Sequence, residues 1–264
     1  MIQPLAYIHP QAKIAGNVVI EPFVTIHKDV VIEDGTWIGS NVTIMDGARI
    51  GKNCRIFPGA VISGIPQDLK FDGEDTTAEI GDNTTIRECV TVNRGTKDKW
   101  KTVIGKNCLI QAYSHIAHDC IIGDNCMCSN SSTLAGHITV GDYVVLAGMV
   151  AVHQFCHIGS HAFIAGGSLV RKDVPPFVKA AREPLAYVGI NSVGLRRRGF
   201  SSSQINEIQD IYRIMFVKNN NLTKALDIIE AEYKPTEVRD EILDFIRNSN
   251  RGVMKGFGQG KGVL

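Results

Sequence analysis

The chain has 264 residues, 44% of them hydrophobic, and a formal net charge of +1. That length supports a sizeable core in one or two domains, and the near-zero charge gives no footing for nucleic-acid binding. No apolar run approaches the ~20 residues needed to cross a bilayer. The N-terminus MIQPLAYIHP lacks a basic segment leading into an apolar one, and the seven cysteines, an odd number, fit free thiols in a reducing, cytoplasmic setting better than a disulfide framework.

From Ile8 the chain repeats every six residues, through Ile14, Ile20 and Ile26 to Val170. Of 28 frame positions 24 are Ile, Leu or Val; the others are Cys128 and, in two breaks, Asp68, Glu74 and Asp98. With hydrophobic residues at 44% of the chain, chance would fill fewer than half. The residue after the aliphatic is often Gly, as at Gly39, Gly51, Gly81, Gly105, Gly123, Gly141 and Gly159, and four after it comes a small or β-branched residue such as Val18, Thr36, Ala48 or Cys108. A period of six fits neither a helix nor a simple alternating strand. It fits a short strand and a tight turn, the aliphatic inward and the Gly easing the backbone at the corner. Three strands close a triangular coil, and about nine coils at ~4.8 Å each make a prism roughly 45 Å long. The reading is mainly β: a parallel β-helix over 1–190 with loop excursions at 63–79 and 96–103, then a C-terminal helical domain over 191–264.

The first break, SGIPQDLKFDGEDTTAE, carries Gln67, Asp68 and Lys70, and loops on a rigid scaffold often bear binding residues. The second, near TKDKWK, reads as a short surface excursion. Five cysteines (Cys54, Cys108, Cys120, Cys126, Cys156) fall on the small inward position and Cys128 on the aliphatic one, as core packing.

Six of eight histidines lie between 115 and 161. Residues one coil apart stack, so Asp119 lies beneath His137 with Phe155 above, and His118 shares a column with Gly136 and Gln154. None is on an inward position. A His with an adjacent carboxylate and nearby Gly amides suits acyl transfer: the imidazole accepts a proton and an amide faces a developing oxyanion. Clustered His also suits zinc with an open position.

Pro175–Pro176 stops the coil. Residues 171–200 hold seven Lys or Arg against two acids, a patch suited to an anionic ligand or an acidic protein. Helical periodicity begins at Ser201, where Ser201 and Gln204 fit a capping box, with Ile205, Ile208, Tyr212, Met215 and Phe216 as an apolar stripe. A second helix is predicted near Thr223–Tyr233 and a third after Thr236, with Val238, Ile242, Phe245 and Ile246 inward. The Gly-rich end, GVMKGFGQGKGVL, reads as disordered.

The runs HIAHDC (115–120), LAGH (134–137) and AVHQFC (151–156), with PQDLK (66–70), NRGT (93–96), VPP (174–176) and GLRRRGF (194–200), resemble the UDP-N-acetylglucosamine O-acyltransferase family, the first enzymes of lipid A synthesis, over essentially the whole chain. The resemblance implies a left-handed coil, a homotrimer with sites between subunits, and transfer of a 3-hydroxyacyl group from acyl carrier protein to the sugar 3-hydroxyl. It implies His118 as general base, Asp119 as its support and the Gly136 amide as oxyanion donor. It also puts Asp68, Lys70, His115, His137, His153 and Gln154 around the substrate, Arg197 and Arg198 on phosphate or carrier, and Gly166 at the end of a long acyl chain. No metal and no cofactor is implied beyond the phosphopantetheine of the carrier. Asn93, Val193 and Pro184 depart from the family pattern, so a 3-hydroxyl and a 3-amino acceptor both stay open. Competing readings are the N-acyltransferase of the same pathway, which carries an extra domain before the coil, a coenzyme A-dependent acetyltransferase, a zinc enzyme like the γ-carbonic anhydrases, and a non-enzymatic scaffold.

Overall fold

The computed structural model describes residues 1–218 and 221–256. Outside the two breaks each hexad folds as a two- to four-residue strand, and successive strands go to three parallel sheets in rotation. Face one has nine strands, from Tyr7–Ile8 to Leu169–Val170; face two has eight, from Lys13–Ile14 to His157–Ile158; face three begins at Val19–Ile20. Pairing is in register: His115 lies beside Thr133, and Thr133 beside Ala151. The chain is a left-handed parallel β-helix.

The aliphatic frame fills the prism. From Ile20 to Val170 its strand residues, Cys128 included, are at most 3% exposed, each burying ~1.5–3 kcal/mol of side-chain transfer energy. Ile8 and Ile14 are only half-buried, at the open N-terminal end of the stack. All seven cysteines are free; six are buried and Cys89 is exposed.

The glycines following the aliphatics act differently from expectation. Their φ angles are not positive; the left-handed residue comes two positions later and is seldom Gly, as at Asn53, Asn83, Asn107, Asn125, Asp119, His137 and Phe155. Gly is required by the next coil: a Cβ on Gly81 would sit 2.7 Å from the Gly105 carbonyl carbon, and one on Gly159 2.7 Å from Pro176 Cα.

Three corners join the faces. The first (from face one to two) holds 117–120, 135–138 and 153–156. The second (two to three) holds 123–126, 141–144 and 159–162, and the third (three to one) 111–114, 129–132, 147–150 and 165–168. Both excursions replace first-corner turns. The chain leaves after the strand Val61–Gly64 and returns at Thr77–Ile80, then leaves after Thr91–Asn93 and returns at Lys101–Ile104.

Beyond the coil, Val178–Ala181 extends face three, pairs antiparallel with Ala186–Ile190, and leads into α1 (Ser192–Arg197), a short helix that periodicity did not reveal. Helix α2 (Ser202–Arg213) has the predicted capping box and continues as a π-turn, Ile214–Lys218; α3 is Leu222–Glu232 and α4 Glu237–Arg247. In α4 Leu243 is buried and Phe245 only half-buried, because the inward stripe is rotated toward Leu243. The predicted disorder of the Gly-rich end is corrected over 252–256. Met254 is 2% exposed, and Lys255–Gly256 adds a strand beside Ala186–Ile190, since a buried Met and a backbone ladder outweigh the Gly content. Residues 257–264 lie outside the described residues.

Candidate active site

Asp119, His137 and Phe155 occupy the same left-handed slot on three successive first corners, with φ of 59°, 64° and 64°. This conformation favours Asn or Gly and costs other residues roughly 1 kcal/mol or more. Backbone bonds stack the corners: the His137 N–H donates to His118 O at 3.1 Å and the Phe155 N–H to Gly136 O at 3.2 Å. His118 Nδ1 lies 2.8 Å from Asp119 Oδ2 and His137 Nδ1 3.8 Å from the same oxygen. The two imidazoles meet edge to face at 4.9 Å, and His137 stacks on Phe155 at 4.4 Å, 9° from parallel. The four residues whose convergence the stacking arithmetic predicts are together.

These side chains leave the prism as expected, but Asp119 is not solvated: it is fully buried. Its cover is the second excursion, which is thus more than a surface detour. Oδ1 accepts from the Thr96 and Lys99 N–H groups at 3.0 and 3.1 Å, and Oδ2 from Thr96 Oγ1 at 2.7 Å as well as from His118. Burial alone would push the Asp119 carboxyl up; the hydrogen bonds from His118, Thr96 and Lys99 outweigh it and hold it at about 2, against an ordinary 3.8. The folded value is the lower one, so the linked stability is present above pH ~4 and is lost as pH falls toward ~2, on the order of 2 kcal/mol. Denaturant unfolding across that window should lose stability more steeply in the native chain than in Asp119→Asn, by about that amount; equal slopes refute the linkage.

A carboxylate only accepts, so the neutral His118 ring carries its proton on Nδ1 and leaves Nε2 as a free acceptor. The ring lies over Gly136: a Cβ there would stand 2.6 Å from His118 Cε1 and 2.8 Å from Nε2. Among the described residues no acceptor meets the Gly136 N–H. An imidazole acceptor and an unclaimed amide thus sit side by side, the pair that acyl transfer needs.

The remaining predicted residues divide by corner. His115, on face one one strand before His118, shares a 2.7 Å hydrogen bond with Thr91 Oγ1; burial, then the His118 charge, lowers its pKa. His153 and Gln154 are exposed on the first corner one coil above Gly136. Asp68 and Lys70 stand on the first excursion, two coils below His118, where Asp68 Oδ1 accepts from the Lys70 N–H at 3.0 Å. Gly166 is on the third corner, its missing side chain over Gly148 O. Arg197 is exposed on α1. Arg198 lies against the second corner, its guanidinium 5.1 Å over Tyr143 and 3.5 Å from His161 Nδ1. The Arg196–Arg198 end of the basic segment is therefore not beside the histidine cluster within one chain, because Asn191 donates to His161 O at 2.9 Å and docks α1 on the second corner, whereas Arg171 and Lys172 follow Val170 on the first corner above His153 and Gln154. Burial, then Arg198, holds the His161 ring at about 4, leaving it an acceptor near neutrality. Sequence reasoning missed Thr96, Lys99, Asp98, whose carboxylate is 2.9 Å from His137 Nδ1, and the His161–Tyr143 seat of Arg198. The NRGT run was the one signal for Thr96.

His118, Asp119 and His137 offer ligand atoms within 4.8 Å of one another. Each Asp119 oxygen already accepts two hydrogen bonds, and both imidazole Nδ1 atoms face carboxylates. A metal bound through Asp119 would have to displace this network.

Coil and site together define a hexapeptide-repeat transferase, and the family model for bacterial transferase hexapeptide repeats matches residues 29–64 and 101–136. The model for domain 2 of UDP-N-acetylglucosamine O-acyltransferase matches residues 173–254. Among relatives named acyl-[acyl-carrier-protein]–UDP-N-acetylglucosamine O-acyltransferase, that of Xanthomonas oryzae is 48% identical, covering 97% of this chain and 98% of its own. That of Thiobacillus denitrificans is 42% identical, covering 96% and 99%. A solved UDP-N-acetylglucosamine acyltransferase from Bacteroides fragilis superposes with a TM-score of 0.95 at 51% identity, covering 97% of this chain and 100% of that one. The chain belongs to the UDP-N-acetylglucosamine O-acyltransferase family. The zinc-enzyme alternative finds no support among these relatives.

Proposed function

We propose that this protein transfers a long 3-hydroxyacyl group from acyl carrier protein to the 3-hydroxyl of UDP-N-acetylglucosamine by direct attack. His118 Nε2 takes the hydroxyl proton as the oxygen adds to the thioester carbonyl. The tetrahedral oxyanion meets the Gly136 N–H, and collapse expels the phosphopantetheine thiolate, which recovers the proton from His118. The observation that carries this reading is the His118–Asp119 hydrogen bond beneath the 94–100 excursion, with Nε2 free beside the unclaimed Gly136 amide. Asp68, Lys70, His115, His137, His153 and Gln154 line the nucleotide-sugar side; Gly166 leaves room for the acyl chain; Arg197 and Arg198 take phosphate or carrier charge. No cofactor enters.

In this reading residues 1–190 carry the chemistry and 191–264 support carrier docking. In the same reading the active form is a homotrimer: His118, Arg198 and Gly166 lie on three different corners of one prism, which suits a cleft completed by the Arg198 and Gly166 of a neighbouring chain. A cytoplasmic enzyme fits the free cysteines, and no helix among the described residues is long and apolar enough to cross a membrane. The test offers purified protein a panel of 3-hydroxyacyl carrier proteins with UDP-N-acetylglucosamine or its 3-amino analogue. Mass spectrometry should find the O-acyl ester; amide from the analogue alone, or no product, overturns the assignment.

A further inference from the structure

The 94–100 excursion carries a second carboxylate toward the cluster. Asp98 Oδ2 lies 2.9 Å from His137 Nδ1, and the Asp98 N–H donates to Thr96 Oγ1 at 3.3 Å. That same hydroxyl donates to Asp119. One short loop therefore ties down both members of a pair of perpendicular imidazoles, Asp119 holding His118 and Asp98 holding His137. Phe155, stacked at 4.4 Å, sets the plane of the His137 ring. Stacking is indifferent to a half-turn about the Cβ–Cγ bond, which keeps the ring plane and exchanges its edges, whereas a directional bond to one nitrogen selects one edge. The His137 side chain is 13% exposed and that of Asp98 57%, so the bond sits at the rim of the cleft with the imidazole on the covered side.

We propose that Asp98 is a positioning residue that fixes His137 with its proton on Nδ1 and presents Nε2 to the acceptor substrate as a hydrogen-bond acceptor. The carboxylate can only accept, so in the neutral ring the proton belongs on Nδ1, and the opposite nitrogen is bare. A bare Nε2 selects a donor: a sugar hydroxyl or an amide N–H. This inference rests on the reading of the cleft as a nucleotide-sugar site, and it predicts a role in substrate affinity more than in the chemical step, since His118 keeps its own carboxylate.

Two measurements test it. In protein labelled with 15N-histidine, at a pH where the rings are neutral, His137 should be protonated at Nδ1, and Asp98→Ala should turn it to a mixture of tautomers. An unchanged tautomer overturns the proposal whatever the protein acylates. In the acyl-transfer assay Asp98→Ala should raise KM for UDP-N-acetylglucosamine about tenfold, the loss of one charge-assisted bond, with kcat within about threefold. In a His137→Ala background the same substitution should change KM less than twofold. A loop needed only for folding would lose activity in both backgrounds, and that result, or an unchanged KM in the single variant, also overturns it. Failure of the nucleotide-sugar reading is distinct: the native enzyme would then not turn over this acceptor at all.

Discussion

His118→Ala is expected to lower kcat/KM for acyl transfer about a thousandfold, the range associated with losing a positioned general base, while the coil stays folded. The imidazole lies outside the prism, and Asp119 keeps its bonds from Thr96 Oγ1 and from the Thr96 and Lys99 amides, so the thermal midpoint should move by only a few degrees. Turnover within tenfold of the native enzyme would remove His118 from the chemistry. The same variant tests the shared site. His118 is on the first corner and Arg198 against the second. If the cleft takes His118 from one chain and Arg198 from the next, mixing His118→Ala subunits with impaired Arg198→Ala subunits rebuilds about a quarter of the sites by random assembly. A site built from a single chain gives no recovery.

Gly136→Ala should cost about a hundredfold in kcat with little change in stability. The φ of Gly136 is not positive, so the backbone accepts Ala. The added methyl, however, stands 2.6 Å from His118 Cε1, well inside the ~3.5 Å of carbon contact. The ring must shift by nearly 1 Å, and displacements of that size cost about 10²-fold in a positioned reaction. Gly16→Ala is the control: it occupies the same hexad position with nothing within 4 Å and should leave both activity and midpoint unchanged. Full activity in Gly136→Ala, or a large loss of midpoint, would sink the steric account.

Much of the site was legible because the repeat is a ruler. One coil of the ladder carries Asp119 to His137 and His118 to Gly136, and the observed distances follow that arithmetic. It fails where the chain leaves the hexads. Asp98 and His137 are 39 residues apart, but the excursion between Asn93 and Lys101 resets the count, so no periodicity pairs them. The glycines show a different limit. Their spacing was plain, but their cause, close approach of the next coil at Gly81 or Gly159, is a contact between chain segments that no local pattern displays. Asp119, His137 and Phe155 stand in a left-handed slot that other corners fill with residues as different as Asn53, Asn125, Tyr143 and Met149, so the slot alone does not single out the functional corner.

Alone, the sequence determined the coil, its buried frame from Ile20 to Val170 and the cap of α2, because each depends on a short-range repeat or on neighbours three or four residues away. Tertiary structure decided the rest. It placed both excursions on the first corner, buried Asp119 beneath Thr96 and Lys99, seated Arg198 on His161 and Tyr143, and tied the strand Lys255–Gly256 to the sheet. Those arrangements are made by hydrogen bonds and stacking between segments without a common period, and such partners are chosen only when the whole chain has packed.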